Sequence, residues 1–333
     1  MNSAGVPDEM RIPGITDILK ARRALSGGVR RTPLELSHPL SDMTGAHVYM
    51  KLENLQHTNS FKIRGAINKM RSLSPDERAR GVITASSGNH AQGLSAAAAM
   101  MRVKAVICVP LTCPETKKAS VLARGGSCVD LRVIGAKYDD TERRARELAA
   151  VEGLSFVSAY EDTHIAAGQG TLALEMLEDE PELDAVFCPI SGGGLITGVT
   201  VAARALRPGI ELWGAFAANN PSWGRAWEAG EVVPVEESDS IADALGGGAS
   251  RKLFGFIRSN ITGVLGIPED GIARAMALVH RSHHMVIEGG AGVAVAALLS
   301  GRVDVRGKKV GVVVSGGNAD NSKFIEILEK YGR

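Results

Sequence analysis

The stretch AVFCPISGGGLITGV, residues 185–199, joins a short apolar run to a row of three glycines and a second apolar segment. A continuous apolar run of this length is typical of a strand buried on both faces of a sheet, and the strand is predicted to end at Ile190. Residues 191–194 form the predicted turn, and the chain is predicted to be helical from Leu195 onward. A buried strand that turns directly into a helix is the unit from which parallel α/β sheets are built.

The same alternation of strand and helix covers nearly all of the 333 residues. Further strands are predicted at residues 47–52, 81–85, 103–109, 128–134, 210–216 and 309–315, and helices at 93–100, 139–151, 167–177 and 271–281. The pattern predicts an α/β fold with open, mostly parallel sheets that are flanked by helices. The chain is long enough for two domains, and polar breaks near 54–60 and 158–164 are the candidate crossings between them.

Composition and charge exclude several classes of partner. The chain is 44% hydrophobic and 23% charged, and its formal net charge is +1, so we expect no nucleic-acid partner and no membrane partner. No window approaches the roughly eighteen uninterrupted apolar residues of a membrane-spanning helix, and the polar residues 1–14 lack the apolar stretch of a signal peptide. The four cysteines contain no C-x-x-C pair, which favours reduced thiols and a cytoplasmic protein.

Glycine turns that follow predicted strands are candidate ligand sites. In the turn at 191–194, backbone N–H groups and the N-terminus of the next helix can cradle a phosphate, although a tight turn without a ligand is the alternative. The spacing matches neither the G-x-G-x-x-G fingerprint nor the P-loop motif, so it supports a dinucleotide or P-loop nucleotide only weakly. In VGVVVSGGNAD, residues 310–320, Ser315 ends an apolar strand at the edge where open α/β sheets bind ligands.

A third segment, ITASSGNHAQGLSAAAA at residues 83–99, is rich in polar groups at a predicted helix start. Ser86, Ser87 and Asn89 could donate hydrogen bonds to a second anion such as a carboxylate, and ordinary helix capping explains them equally well. His90 has no second ligand at metal-binding spacing, so no metal site is predicted.

The segment HTNSFKIRGAINKM, residues 57–70, is a predicted helix with an unusual first turn. Ser60 is a suitable N-cap, and Lys62 and Arg64 then place two cations at the positive end of the helix dipole. Either the surface tolerates both charges, or Lys62 is neutral because the dipole and Arg64 lower its pKa. A neutral lysine can form a Schiff base with an aldehyde, and together with a phosphate cradle it points to pyridoxal 5′-phosphate (PLP) as cofactor.

Five motifs occur in the order that a known family shows: NSFKIRGA around Lys62, SSGNHAQG at 86–93, AGQGT at 167–171, SGGGL at 191–195 and SGGNAD at 315–320. With them the chain resembles the fold-type II PLP enzymes, above all the serine/threonine dehydratases, with serine racemase nearby. The resemblance implies a two-lobed fold similar to the tryptophan synthase β subunit, and a homodimer or homotetramer. Residues 1–54 and 157–333 would form the large PLP-binding domain, and residues 55–156 a small mobile domain that closes over the substrate.

The resemblance also implies roles for the residues of these motifs. Lys62 would bind the cofactor covalently and act in catalysis together with Ser87, and Phe61 would lie against the cofactor ring. The remaining roles fall to the loops: Asn89 for the 3′-oxygen of the cofactor, Ser191, Gly192, Gly193, Gly194 and Leu195 for its phosphate, Ser315 for its pyridine nitrogen, and Ser86, Asn89 and His90 for the substrate carboxylate.

The implied reaction is the β-elimination of the hydroxyl of an amino acid such as L-threonine or L-serine, which yields a 2-oxo acid and ammonia. The amine of Lys62 would take the Cα proton. Rival activities are a serine racemase and a dehydratase for another hydroxy amino acid such as 3-hydroxyaspartate. From a different class, the chain could be a non-catalytic module that binds a phosphate or a nucleotide through its glycine loops.

Two positions depart from the racemase pattern. Metal-dependent racemase-like members carry a carboxylate directly after the stretch IELWGA, residues 210–215, where this chain has Phe216. Racemases carry an asparagine shortly before the AGQGT motif, where this chain has Tyr160. Both differences favour a dehydratase over a racemase.

Overall fold

A computed structural model describes residues 10–236 and 238–332 of the chain. The strands in these ranges are β1 (Leu34–Leu36), β2 (His47–Leu52), β3 (Val82–Ala85), β4 (Ala105–Val109), β5 (Val129–Val133), β6 (Ser155–Phe156), β7 (Ala185–Pro189), β8 (Glu211–Ala217), β9 (Gly263–Ile267) and β10 (Lys309–Val314). The helices are α1 (Ile15–Leu25), α2 (His38–Thr44), α3 (Lys62–Ser72), α4 (Pro75–Arg80), α5 (Asn89–Met101), α6 (Glu115–Gly125), α7 (Tyr138–Glu152), α8 (Thr163–Asp179), α9 (Gly194–Leu206), α10 (Ser222–Ala229), α11 (Arg251–Asn260), α12 (Glu269–His283), α13 (Gly289–Leu299) and α14 (Asn321–Tyr331). Most of the N-terminal segment for which no signal peptide is predicted, residues 1–9, lies outside the described residues.

The strands form two sheets, as the predicted α/β fold requires. One sheet has six strands in the order β1-β2-β10-β7-β8-β9, in which the edge strand β1 runs antiparallel to β2 and the other neighbours are parallel. The other sheet has four parallel strands in the order β5-β4-β3-β6. These four strands lie between residues 82 and 156. The domain boundaries and the mobility of the small domain stay predictions.

The two faces of the six-stranded sheet belong to different parts of the hydrophobic core. In β7, Ala185 and Phe187 pack in one buried cluster with residues of α13, whereas Val186 and Cys188 pack in another with residues of α9. Successive side chains of a strand point to opposite faces of its sheet. A strand that is covered by helices on both faces therefore needs an unbroken apolar run, which is what this chain has at β7.

The predicted strands are all present, with ends that differ by no more than two residues. Strands β1 and β6 are absent from the prediction because three and two residues are too few to show a period, and β9 is interrupted by a glycine. Helices α5 and α8 begin four residues earlier than predicted, at Asn89 and Thr163. For α8 the start is set by the carboxylate of Asp162, which accepts hydrogen bonds from the backbone of His164 and Ile165.

Two observations concern the expected environment of the protein. Within the described ranges, each helix is too short or too polar to cross a lipid bilayer. All four cysteines are free, and Cys108, Cys113 and Cys188 are buried; that the thiols are reduced stays a prediction.

Glycines in and near the AGQGT motif allow three helices to pack closely. A Cβ on Gly168 of α8 would lie 2.7 Å from the backbone oxygen of Arg64 in α3. A Cβ on Gly198 of α9 would lie 2.2 Å from the backbone oxygen of Ala166 in α8. Backbone leaves no room for a side chain at either position, so the motif at 167–171 serves to hold α3, α8 and α9 together.

The substitution Gly198→Ala is expected to destabilise the protein by about 1–3 kcal/mol, because the added methyl group forces α8 and α9 apart. Urea-induced unfolding of wild type and variant measures the difference. The matched control is Gly255→Ala in α11, where a Cβ would meet nothing within 4 Å. Alanine favours a helix, so this control should be neutral or stabilising by up to about 1 kcal/mol. Equal stability of the two variants would speak against close packing of α8 and α9.

Candidate active site

The loops that carry the motifs meet at one cavity of about 800 Å³. It lies where strands of both sheets end: β3 at Ala85, β7 at Pro189 and β10 at Val314 are each followed by a motif loop. Ligands of open parallel sheets bind at this edge. All the site residues predicted from the sequence line the cavity, namely Phe61, Lys62, Ser86, Ser87, Asn89, His90, Ser191, Gly192, Gly193, Gly194, Leu195 and Ser315. Their individual roles stay predictions.

Lys62 is the first residue of α3, and its Nζ donates a hydrogen bond to the backbone oxygen of Ala159 at 3.1 Å. Removal from water disfavours the charged form of an amine, so burial lowers the pKa of Lys62 to about 8, and the nearby Glu288 carboxylate opposes this shift. Part of the amine is therefore neutral at pH values where an ordinary lysine is fully protonated. Such an amine can react with an aldehyde.

Arg64, two residues further along α3, is not the cause of the lowered pKa of Lys62 that the sequence predicted. The guanidinium of Arg64 is fully buried and is paired with the carboxylates of Glu53 and Glu175, so its charge is compensated. Desolvation, rather than repulsion by Arg64, is the main cause of the lowered pKa of Lys62. The expectation that the surface tolerates both charges is wrong, because the Arg64 side chain is fully buried, and so is the expectation that Arg64 lowers the pKa of Lys62.

The segment before α3 is tied to the loop that follows β10. The backbone N–H of Phe61 donates to the backbone oxygen of Ser315 at 3.1 Å, and Ser60 pairs with Gly316 in an isolated bridge. The prediction that Ser60 caps α3 is therefore wrong. The helix has no side-chain cap, and Oγ of Ser60 is buried without a hydrogen-bond partner among the described residues. These backbone contacts hold Phe61, the residue directly before Lys62, against Ser315.

Asn89 is held by hydrogen bonds at both ends of its amide. Its Nδ2 donates to Oε1 of Glu288 at 2.7 Å, and its Oδ1 accepts from Nδ2 of Asn318 at 2.8 Å. Burial raises the pKa of Glu288 to about 7. The predicted contact with the 3′-oxygen of the cofactor would use the second hydrogen on Nδ2. Glu288 is absent from the prediction because a carboxylate before a glycine-rich helix start looks like an ordinary cap.

His90 is buried and offers the site an acceptor. Its Nε2 lies 3.3 Å from the backbone oxygen of Val157, which can only accept, so Nε2 carries the proton. Nδ1 is then a free acceptor, and it has no hydrogen-bond partner in the described part of the chain. Burial lowers the pKa of His90 to about 3, which keeps the ring neutral. Because an acceptor does not bind a carboxylate, the predicted contact with the substrate carboxylate would require backbone N–H groups of this loop.

The turn at 191–194 has the shape of an anion cradle. Gly193 has a φ of +102°, a conformation that favours glycine, and it directly precedes Gly194, the first residue of α9. A Cβ on Gly192 would lie 2.3 Å from the ring of Tyr160. The turn lines the cavity and leads directly into the N-terminus of α9, which is where backbone N–H groups can hold a phosphate.

A second glycine-rich loop forms another wall of the cavity. Residues 243–247 line it, and the hydroxyl of Ser191 donates to the backbone oxygen of Gly246 at 3.0 Å. The side chain of Ser191 thus supports this wall, while its backbone belongs to the turn. The loop is absent from the prediction because its glycines do not follow a strand.

One ion pair belongs to the cavity wall. Nζ of Lys117 in α6 lies 2.7 Å from Oδ2 of Asp243, and both residues line the cavity. The two charges act in opposite directions on the pKa of Glu288, so the pair lies near the predicted site residues. Among the described residues that line the cavity, Lys62 and Lys117 are the only lysines or arginines.

The residues of the cavity fit PLP. The turn at 191–194 lines the cavity at the N-terminus of α9 and offers backbone N–H groups, as a phosphate requires. Lys62 offers an amine with a lowered pKa for the aldehyde. Ser315, which is buried at the end of β10, and Asn89 offer hydrogen-bonding groups for the ring.

A family model described as "Pyridoxal-phosphate dependent enzyme" matches residues 25–316 of the chain. Because the match covers most of the sequence, the chain belongs to this family of PLP-dependent enzymes. The family that the five motifs predict is thereby confirmed, and so is the cofactor.

Individual relatives include three different activities. The chain is similar to the L-threonine ammonia-lyase of Thermotoga maritima, with 38% identity over 317 residues, which are 95% of this chain and 78% of that protein. It is similar to the L-threo-3-hydroxyaspartate ammonia-lyase of Saccharomyces cerevisiae, with 34% identity over 324 residues, 96% of this chain and 97% of that protein. Among solved structures it is similar to maize serine racemase, with a TM-score of 0.89 and 29% identity over 96% of this chain and 98% of that one. The predicted fold class is confirmed by this shared fold.

Covalent binding of PLP to the apoenzyme is expected to depend on pH through Lys62. Only the neutral amine attacks the aldehyde, and the pKa of Lys62 is about 8, so the rate should rise with pH, reach half its maximum near pH 8 and level off about one pH unit above it. Stopped-flow absorbance after mixing apoenzyme with PLP measures this rate. Lys62→Ala is the matched control and should lack this phase. A midpoint near 10.5, the ordinary value for lysine, would rule out the desolvated environment.

Proposed function

We propose that this protein is an ammonia-lyase that converts L-threonine or L-serine into the corresponding 2-oxo acid and ammonia. Family membership and the ammonia-lyases among its relatives support this proposal, and at the level of the reaction class the predicted PLP-dependent elimination from hydroxy amino acids is confirmed. The alternative of a non-catalytic phosphate-binding module has no support from them. A cytoplasmic location and a homodimeric or homotetrameric assembly are part of the proposal.

The choice of substrate rests on the charged side chains of the cavity wall. The ammonium of Lys117 is already compensated by Asp243 at 2.7 Å. Apart from Lys62, the described residues that line the cavity offer no other lysine or arginine. A second carboxylate, as in 3-hydroxyaspartate, would meet no lysine or arginine of this lining that lacks a carboxylate partner, apart from Lys62, and it would add to the negative charge of Asp243, which lines the same wall. The wall therefore suits an amino acid with an uncharged side chain.

The loops of the cavity have separate binding tasks. The turn at 191–194 and Leu195 would hold the phosphate of PLP, Asn89 its 3′-oxygen and Ser315 its ring nitrogen. The loop at 86–90 would bind the substrate carboxylate through hydroxyl and backbone donors. When bound there, PLP supplies the electron sink for the electrons of the Cα–H bond.

Lys62 carries the proton of the reaction. Its neutral amine, favoured by burial, accepts the proton from the substrate Cα. The resulting ammonium donates this proton to the β-hydroxyl, which leaves as water with the electron pair of the Cβ–O bond. Addition of water to the released unsaturated amine gives the 2-oxo acid and ammonia, so that atoms and charges balance.

Two packed rings favour elimination over racemisation. The ring of Phe216 in β8 fills the space beside Gly224 and Gly266, and it supplies no oxygen ligand at the position where metal-dependent racemase-like members carry a carboxylate. The ring of Tyr160 packs on Gly192 at the position where racemases carry an asparagine. From L-serine we therefore expect pyruvate in excess over D-serine, which chiral chromatography of the reaction mixture measures.

The substitution Asp243→Asn is expected to shift the substrate preference toward 3-hydroxyaspartate. It frees the ammonium of Lys117 to pair with a side-chain carboxylate, which should raise kcat/KM for L-threo-3-hydroxyaspartate about tenfold relative to L-threonine. Ammonia release from L-threonine, L-serine and L-threo-3-hydroxyaspartate measures the preference of wild type and variant.

The control for this experiment is Asp304→Asn. Asp304 pairs with Arg306 on the surface, away from the cavity lining, so its loss should leave the preference unchanged. A wild-type enzyme that prefers L-threo-3-hydroxyaspartate to L-threonine would refute the proposed substrate.

A further inference from the structure

Four charged side chains form a buried network next to the first turn of α3. The guanidinium of Arg64 pairs with both oxygens of Glu53, at 2.8 and 2.9 Å, and with both oxygens of Glu175, at 2.7 and 2.9 Å. Nζ of Lys51 pairs with Glu175 at 2.6 Å. The side chains of Lys51, Glu53 and Arg64 are fully buried, and that of Glu175 is 10% exposed. Two cations and two carboxylates balance one another, and none of the four lines the cavity.

The other three members of the network lie in β2, in the turn after it and in α8. Lys51 lies in β2, Glu53 in the short turn Glu53–Leu55 that follows β2, and Glu175 in α8. Helix α8 in turn packs closely on α9, the helix that begins at the glycine turn. The network therefore connects the first turn of α3 with the elements that carry the phosphate cradle.

Helix geometry links this network to Lys62. Successive residues of an α-helix are rotated by about 100°, so the side chains of Lys62 and Arg64 leave the helix in nearly opposite directions. When Arg64 is fixed in the network, Lys62 must face the cavity. The first turn of α3 has no side-chain cap, and the backbone contacts of Ser60 and Phe61 with the loop after β10 hold the chain just before this turn.

Stability alone does not explain such a network. The desolvation of buried ions offsets much of their attraction, and replacement of a whole buried pair by uncharged residues is often neutral or stabilising. The best-attested role of a buried ion pair is to select one arrangement among several. In this chain, the network would select the one orientation of α3 about its axis in which Arg64 faces Glu53 and Glu175.

We propose that Arg64 is a positioning residue for Lys62, and that the network of Lys51, Glu53, Arg64 and Glu175 keeps the lysine amine directed into the cavity. The network acts through the first turn of α3 and touches neither cofactor nor substrate. The inference rests on the proposed function only in taking Lys62 as the residue that binds PLP.

The double variant Arg64→Met/Glu53→Gln tests this role. It removes one cation and one carboxylate together and leaves the pair of Lys51 and Glu175 in place, so the thermal midpoint should change little. With the amine no longer directed into the cavity, the Kd of the apoenzyme for PLP should rise about tenfold or more. The kcat should fall by a similar factor, with a smaller change in KM. Absorbance titration of the apoenzyme with PLP measures the affinity independently of turnover.

The matched control is Lys69→Met/Asp162→Asn, which removes an ion pair at the other end of the same helix. Nζ of Lys69 lies 2.7 Å from Oδ2 of Asp162, and their side chains are 13% and 12% exposed. Asparagine keeps the capping function of position 162. This control should leave the Kd for PLP and kcat within about twofold of wild type.

A second variant covers the case in which the double variant does not fold. Glu175→Gln keeps the shape of the side chain and weakens one partner of Arg64, and it should raise the Kd for PLP about threefold or more. Wild-type affinity and kcat in the folded double variant, wild-type affinity in Glu175→Gln, or an equal loss in the control would each overturn the inference. A wild-type enzyme that binds PLP but releases no ammonia would contradict the proposed function instead, and the affinity measurements would still decide the role of Arg64.

Discussion

The site depends on the separation of two cations that stand two residues apart at the start of one helix. Helix geometry turns Lys62 toward the cavity, where desolvation lowers its pKa to about 8, and turns Arg64 toward Glu53 and Glu175. Arginine would not serve at position 62, because its charge is not lost in proteins. Lysine would serve less well at position 64, because it lacks the planar fork that pairs with two carboxylates at once. The order of the two residues is therefore fixed by their chemistry.

Much of the remaining site lies in loops that follow the carboxyl ends of strands in two sheets. The turn at 191–194 presents N–H groups at a helix N-terminus, and the loop at 243–247 forms another wall. Lys117 is paired with Asp243. Apart from Lys62, the described lining residues therefore include no cation without a carboxylate partner. Such a lining suits the proposed substrate, an amino acid with an uncharged side chain.

Local sequence patterns were sufficient to predict seven of the ten described strands and the loops at 86–90, 191–194 and 315–320, because each of these loops follows an apolar strand. The contacts that the sequence did not reveal join distant parts of the chain. Glu288 lies 199 positions from its partner Asn89, and Glu175 lies 111 positions from Arg64. Without the packing of α3 on α8, Arg64 appears as an uncompensated charge at a helix start. Its true partners become evident only when those helices are adjacent.

The central claim is that Lys62 is the residue that PLP modifies in the resting enzyme. Borohydride reduction of the purified holoenzyme fixes the cofactor on its lysine, and peptide mapping by mass spectrometry then locates the modified residue. We expect the label on the peptide that contains Lys62 and no label on the peptide that contains Lys117, the other lysine of the cavity lining. A label on Lys117, or a holoenzyme in which Lys62 stays unmodified, would contradict it.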